Sequence, residues 1–308
     1  MNELVTIENE YLKTEISPLV GGSIFSMQYN LEGGWVDVMR PTPRKALAEK
    51  DVLSFASFNL FPYSNRIEDA LLKFKGQEYQ LEVTFDDGHA IHGEAWTRPW
   101  KVVEKEKERL LIEFDSSEYD DIPWPFPFKA EMEYLLEDNN LKINMSIENT
   151  GEQEMPAGMG IHPYFMRKLE GEREKINVKM DTLGIYPGET QIPSGHWIKT
   201  ENSLDFTEGN ELTTAFLDSC FRAGDEDIVI KWQESGLEVV MEKDEIFKHT
   251  VIYCPAEEKD FFAIEPVTNC NNGFNMAEEG IEDTGTVILE PGDYLKGTVN
   301  IKVQTIEK

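Results

Sequence analysis

The sequence predicts an all-β protein: two large antiparallel sheets packed face to face, with few and short helices. Three observations carry this expectation. Short runs rich in β-branched and aromatic residues alternate apolar and polar positions with period two, as half-buried strands do. Turn residues (Gly, Asn, Asp, Pro) separate those runs. Sustained helical periodicity is scarce, and no strand–helix–strand rhythm of a parallel sheet is visible.

The N-terminus, Met1 to Glu8, is acidic and alternating, and it lacks the basic and apolar regions of a signal peptide. Thr42 to Lys50 is the first helical candidate, and Glu211 to Phe216 is the second. Leu110 to Phe114, Met132 to Leu136, Leu237 to Met241, Thr250 to Tyr253 and Thr298 to Val303 read as strands. Between Leu141 and Ile147 the positions Leu141, Ile143, Met145 and Ile147 point one way, with polar residues between them. Turns are expected at Glu32-Gly33-Gly34, Asp86-Asp87-Gly88, Asp138-Asn139-Asn140, Asn149-Thr150-Gly151 and Pro291-Gly292-Asp293. No linker, low-complexity stretch or internal repeat divides the 308 residues, so a single domain over 1–308 is expected.

With 40% hydrophobic and 11% aromatic residues the chain can bury a sizeable core. No apolar run reaches the roughly 18 residues of a membrane-spanning helix, so no membrane partner is expected. Cys220, Cys254 and Cys270 are odd in number and widely spaced, which fits reduced thiols and a cytoplasmic location. A formal net charge of −30 argues against nucleic acid and anionic membranes as partners. It argues more weakly against a highly anionic substrate, because a local basic pocket can overcome a global field.

Phosphate-binding glycine loops, the serine-hydrolase elbow and the HExxH zinc motif are all absent, and no cofactor is expected. His89 and His92 lie three apart, and residues three apart in a strand face opposite sides, which is poor spacing for a metal site.

Chemistry concentrates in a few strings. The chain holds only 5 histidines. His92 stands before Gly93 and near Trp96; the glycine would let the backbone approach a ligand, and the indole would offer a sugar ring an apolar face. His162, in Gly160-Ile161-His162-Pro163-Tyr164-Phe165, is held extended by the proline after it. Glu265 follows four apolar residues in Phe261-Phe262-Ala263-Ile264-Glu265-Pro266. Such a carboxylate is either a paired structural charge or a tuned base. The polar run Thr268 to Gly273 after it is expected to line a pocket. Asn65-Arg66 combines a planar fork of donors with a mixed donor and acceptor, as sugar hydroxyls require. Asp218, inside Phe216-Leu217-Asp218-Ser219-Cys220-Phe221, needs a partner, although a cap on a helix or turn is the plainer reading. For His92 the plainer reading is a buried, hydrogen-bonded core residue, and for His162 a packing residue at a strand end.

Taken in order, Asn65-Arg66, His92-Gly93 with Trp96, Gly160 to Phe165, Leu217-Asp218-x-Cys220-Phe221, and Glu265 to Asn269 with Gly273-Phe274-Asn275 resemble the aldose 1-epimerase (galactose mutarotase) family. The resemblance covers about Phe58 to Asn275. It implies a β-supersandwich and interconversion of the α and β anomers of a sugar. It implies Glu265 as the base that takes the anomeric hydroxyl proton and His162 as the acid that protonates the ring oxygen. Arg66, His92 and Asp218, together with Asn65, would hold the sugar hydroxyls. The substrate is a small sugar, expected to be a neutral free aldose, and the protein is expected to be a monomer or homodimer. Pro163 and the Pro-Tyr-Ser lead-in to Asn65 depart from the better-known galactose enzymes, which leaves the sugar open. Three alternatives are weighed beside this. A hexose 6-phosphate epimerase would need Arg40, Arg44, Lys45 and Arg98 to build a phosphate clamp. A non-catalytic sugar-binding or regulatory protein would keep the pocket alone. A glycoside hydrolase would pair Glu265 with Asp218.

Overall fold

The computed structural model describes residues 3–32, 34–169, 173–188, 191–256 and 259–307. Met1, Asn2 and Gly33, on which parts of the expectations above fall, lie outside them. The chain is mostly antiparallel strands. One sheet has nine strands. At its centre Phe128–Glu137 pairs with Asn140–Asn149, which pairs with Tyr294–Thr305, which pairs in turn with Leu237–Lys243. A second sheet of seven strands contains Thr182–Ile185, Leu217–Ala223, His249–Cys254, Phe261–Val267, Gly160–Ile161 and Asn59–Leu60, with Tyr164–Met166 also paired to Phe261–Val267. The N-terminal strands Val5–Glu8, Leu12–Ser17, Ser23–Leu31 and Gly34–Asp37 form a four-stranded meander.

The six strands expected from period-two patterning are all present. In Asn140–Asn149 every second residue is buried, starting at Leu141, and the intervening positions are partly exposed. The Asp138-Asn139 turn closes that hairpin between Glu137 and Asn140. Of the two expected helices, the first forms over Arg44–Glu49, burying Ala46 and Leu47. The second does not form. Asn210–Glu211 is an edge strand against Ile176–Lys179, and the Thr213 hydroxyl accepts from the Ala215 amide, a local bond that competes with a helical turn. A helix over Gly273–Glu278 was not expected. It has six residues, too few to show a period in the sequence.

Strand parity places the chemistry. In Phe261–Val267, Phe262 and Ile264 point into the core shared with the nine-stranded sheet, where Phe262 meets Trp232. Ala263, Glu265 and Val267 therefore face the other way. Across the ladder Glu265 is opposite Val251, and Val251 is opposite Cys220. Asp218, two residues from Cys220, shares that face. A second, smaller apolar cluster lies there, including Phe58, Ile91, Trp96, Tyr164, Val251 and Cys270. The sheet face that does not meet the nine-stranded sheet is thus the floor of a pocket.

Candidate active site

A pocket of about 410 Å³ opens on this face, and Asn65, Arg66, His92, His162, Asp218 and Glu265 all line it. Its floor is a contact between acid and base. His162 Nε2 lies 3.1 Å from Glu265 Oε1, and both side chains are nearly sealed from solvent. His162 follows the short strand Gly160–Ile161, and its amide donates to the Phe58 carbonyl at 2.9 Å. Burial pushes the Glu265 carboxyl well above the usual carboxylate range, with the Asp218 charge adding to it. Burial, with Arg40 nearby, lowers His162 to about 3. The pair resists net charge and holds one proton between its two members. Glu265 Oε2 and His162 Nδ1 are buried and have no hydrogen-bond partner among the described residues. Such free polar atoms mark a place where a polar ligand would be held.

The wall is built by two adjoining left-handed residues. Asn65 (φ 58°) and His92 (φ 62°) exchange contacts: the Asn65 amide donates to His92 Nδ1 at 3.1 Å, and the His92 amide donates to the Asn65 carbonyl at 2.9 Å. Burial, with His162 and Arg66 adding to it, keeps His92 well below its ordinary value. The ring is therefore neutral, and because Nδ1 accepts, Nε2 carries the proton and is a donor. Asn65 Oδ1 takes the Arg66 amide at 3.0 Å and Arg66 Nη1 at 3.1 Å. Asn65 thereby orients Arg66. The guanidinium also bonds Asp87 at 2.7 Å and stands 3.9 Å from Asp218. Burial raises Asp218, partly offset by Arg66. Asp218 sits on a strand and caps no helix or turn. The wall thus offers a polar ligand both donors and acceptors.

Three expectations need correction. Trp96 does not offer a face to the pocket: it is buried, its Nε1 donates to the Gly93 carbonyl, and it packs on Phe58 and His92. Gly93 makes its close approach to protein backbone. A Cβ there would lie 2.1 Å from the Phe61 carbonyl oxygen. The polar run after Glu265 is a buttress behind the wall and does not line it. Asn269 clasps Ser64 through three hydrogen bonds, and the Asn272 amide donates to the Arg66 carbonyl at 2.6 Å. The four cations weighed as a phosphate clamp do not converge. Arg40 lines the pocket, but Arg44 lies over Phe25, Lys45 pairs with Glu49, and Arg98 pairs with Glu94 and Asp121. Sequence reasoning missed the aromatic part of the lining: Phe85, Phe216, Tyr253 and Phe261. Phe216 is 57% exposed, unusual for Phe, yet an isolated exposed aromatic in a sequence carries no such signal. Among the described residues no cluster of three or more His, Cys, Asp or Glu is placed to hold a metal ion.

Comparisons with known proteins bear on the family and the fold. The profile of the aldose 1-epimerase family matches residues 3–302. Two uncharacterised Escherichia coli K12 proteins are relatives. YphB is 23% identical over 98% of this chain and 99% of its own length. YihR is 26% identical over 76% of this chain and 74% of its own. A galactose mutarotase-like protein of Clostridium acetobutylicum superposes with a TM-score of 0.87 at 21% identity, covering 98% of this chain and 95% of its own. An aldose epimerase homologue from C. elegans superposes with a TM-score of 0.83 at 19% identity, covering 99% of both chains. At these identities the superpositions speak to the fold.

Proposed function

The chain belongs to the aldose 1-epimerase family, and from that premise we propose that it interconverts the α and β anomers of a free aldose by acid–base ring opening and closure. The observation that carries this reading is the buried contact between Glu265 and His162 at the floor of a pocket walled by Arg66, His92 and Asp218. A bound sugar sets its anomeric hydroxyl and ring oxygen, two adjacent oxygens, against the pocket side of the pair, where Glu265 Oε2 has no partner among the described residues. Burial favours the proton of the pair on Glu265, and ring opening starts from the form with that proton on His162: the Glu265 carboxylate takes the hydroxyl proton and the imidazolium gives its proton to the ring oxygen. The bond from C1 to the ring oxygen breaks as the carbonyl forms. Rotation about C1–C2 and closure on the other face, with the transfers reversed, restore the pair. The proton count on the enzyme is unchanged over the cycle, so the reaction needs no external acid or base.

The hydroxyl-binding wall supports a neutral sugar. Arg66 is already compensated by Asp87 and Asp218, and an anionic phosphate beside Asp218 would be repelled. The test is polarimetry of freshly dissolved α-anomers of glucose and galactose and of the matching 6-phosphates. Mutarotation of a free sugar accelerated above the buffer rate is expected. Acceleration confined to the phosphates would overturn the substrate assignment, and no acceleration of any sugar would overturn the activity.

A further inference from the structure

We propose that Arg40 is a positioning residue for His162, acting through Tyr164 to hold the imidazole in its working orientation and to keep its protonated form a strong acid. The inference rests on the epimerase reading above. Four planar groups are stacked in sequence. The Arg40 guanidinium lies 3.8 Å from the centre of the Tyr164 ring. Tyr164 lies 4.5 Å from the His162 ring at 31°, and His162 lies 4.6 Å from Phe58 at 35°.

The ring of a working histidine is usually fixed by a hydrogen bond from its second nitrogen. Here His162 Nδ1 has no such partner among the described residues; Nε2 meets Glu265 Oε1 at 3.1 Å and the Tyr164 hydroxyl at 3.5 Å, and the stack fixes the plane of the ring. The stack in turn is anchored at Arg40. Its Nη2 donates to the carbonyls of Leu53 and Phe55 at 2.6 Å each, and its amide donates to the Tyr164 carbonyl at 2.8 Å. Phe261 covers it at 4.5 Å. Among the described residues no carboxylate lies within ion-pair distance of Arg40, in contrast to Arg66, which has two. Its charge is opposed only at longer range, by the Asp51 carboxylate.

The groups around His162 pull in opposite directions. Glu265, from the neighbouring strand, favours the imidazolium, and the Tyr164 and Phe58 ring faces also favour a cation between them. The other charged or titratable neighbours are the Tyr164 hydroxyl, 3.5 Å from His162 Nε2, neutral His92 (rings 5.5 Å apart), the compensated Arg66–Asp218 pair, the Tyr253 phenol, and Asp51 on the far side of Arg40. Arg40, with no carboxylate in direct contact, is the cation that opposes protonation. An imidazolium so destabilised gives up its proton to the ring oxygen more readily.

Two variants separate charge from stacking. In Arg40→Met the cation is lost; in Arg40→Lys a cation remains but the planar stack does not. Two readouts are used, the pH profile of kcat/KM and the titration of the His162 ring by nitrogen-edited NMR of the whole chain. In Arg40→Met both should move upward by roughly one pH unit. In Arg40→Lys the profile should stay within about 0.3 unit while kcat falls roughly tenfold at nearly constant KM, as expected for a ring that has lost its orientation. Unmoved profiles and titration in Arg40→Met, in a variant with native near-UV circular dichroism, would overturn the proposal. So would equal shifts in both variants. If the wild-type chain accelerates no sugar, the epimerase reading fails, and the NMR titration still decides whether Arg40 governs His162.

Discussion

The Glu265 carboxyl is 1% exposed, touches one imidazole, and leaves its second oxygen without a partner among the described residues. A buried polar atom without a hydrogen bond costs about 1–3 kcal/mol, so this residue costs stability where it stands. The sign of the pH dependence follows. Its folded pKa is raised, so the folded chain holds a proton that the unfolded chain releases. Stability is therefore lost as pH rises from the unfolded value near 4.5 through the raised folded one. Glu265→Gln removes that penalty. The variant should melt a few degrees higher than wild type at pH 8, with a smaller gain at pH 5, by scanning calorimetry. A variant that melts lower at both would show that Glu265 is a structural charge. Glu265 and His162 were legible because each interrupts an apolar string, and an ionisable group in such a string needs a reason. Trp96 was misread because composition cannot say which face of an indole is covered.

Among the elements, the long strands were legible and the short ones were not. The ten-residue strands Phe128–Glu137 and Asn140–Asn149 display their parity several times over. The strands that carry the pocket wall, Arg66–Ile67 and Ala90–Ile91, have two residues each and display none. Their placement is set by contacts from distant chain. Asn272 and Asn269 hold the Ser64–Arg66 corner, and Gly93 lies flat against Phe61. At Gly93 both demands fall on one residue, with φ at +72° and no room for a Cβ. Gly93→Ala should cost at least about 2 kcal/mol, from backbone strain and displaced packing. It should also weaken sugar turnover, because His92 is its neighbour. Chemical denaturation alongside polarimetry checks both, and an Ala variant of wild-type stability would refute the packing account.

Over the whole molecule, the long C-terminal strand Tyr294–Thr305 lies between Asn140–Asn149 and Leu237–Lys243, so the middle of the nine-stranded sheet needs chain from both halves. On that basis we propose that the chain folds as one domain. The fold class was legible because patterning, turns and the lack of helical period agree across the chain. The pocket's aromatic lining was not, because it assembles from segments up to about two hundred residues apart and no local period records that. The −30 charge also acts at this scale. The 59 acidic residues outnumber the 29 basic ones about two to one, so many carboxylates are left without a cation, and self-repulsion opposes the compact state. The melting temperature should rise between about 20 mM and 500 mM sodium chloride as screening lengths shrink from roughly 20 Å to a few ångströms. A flat or falling curve would show that the acidic surface is already balanced locally.

The account stands on the Glu265–His162 pair as the machinery of anomer exchange. The most direct measurement is the rate of anomer interconversion, by polarimetry on the sugar the wild-type chain accelerates best, in Glu265→Gln and in His162→Ala, with folding verified by near-UV circular dichroism. Each variant should lose at least about 10²-fold, the usual contribution of a positioned acid or base. A folded variant of either residue that keeps a near-wild-type rate would contradict it.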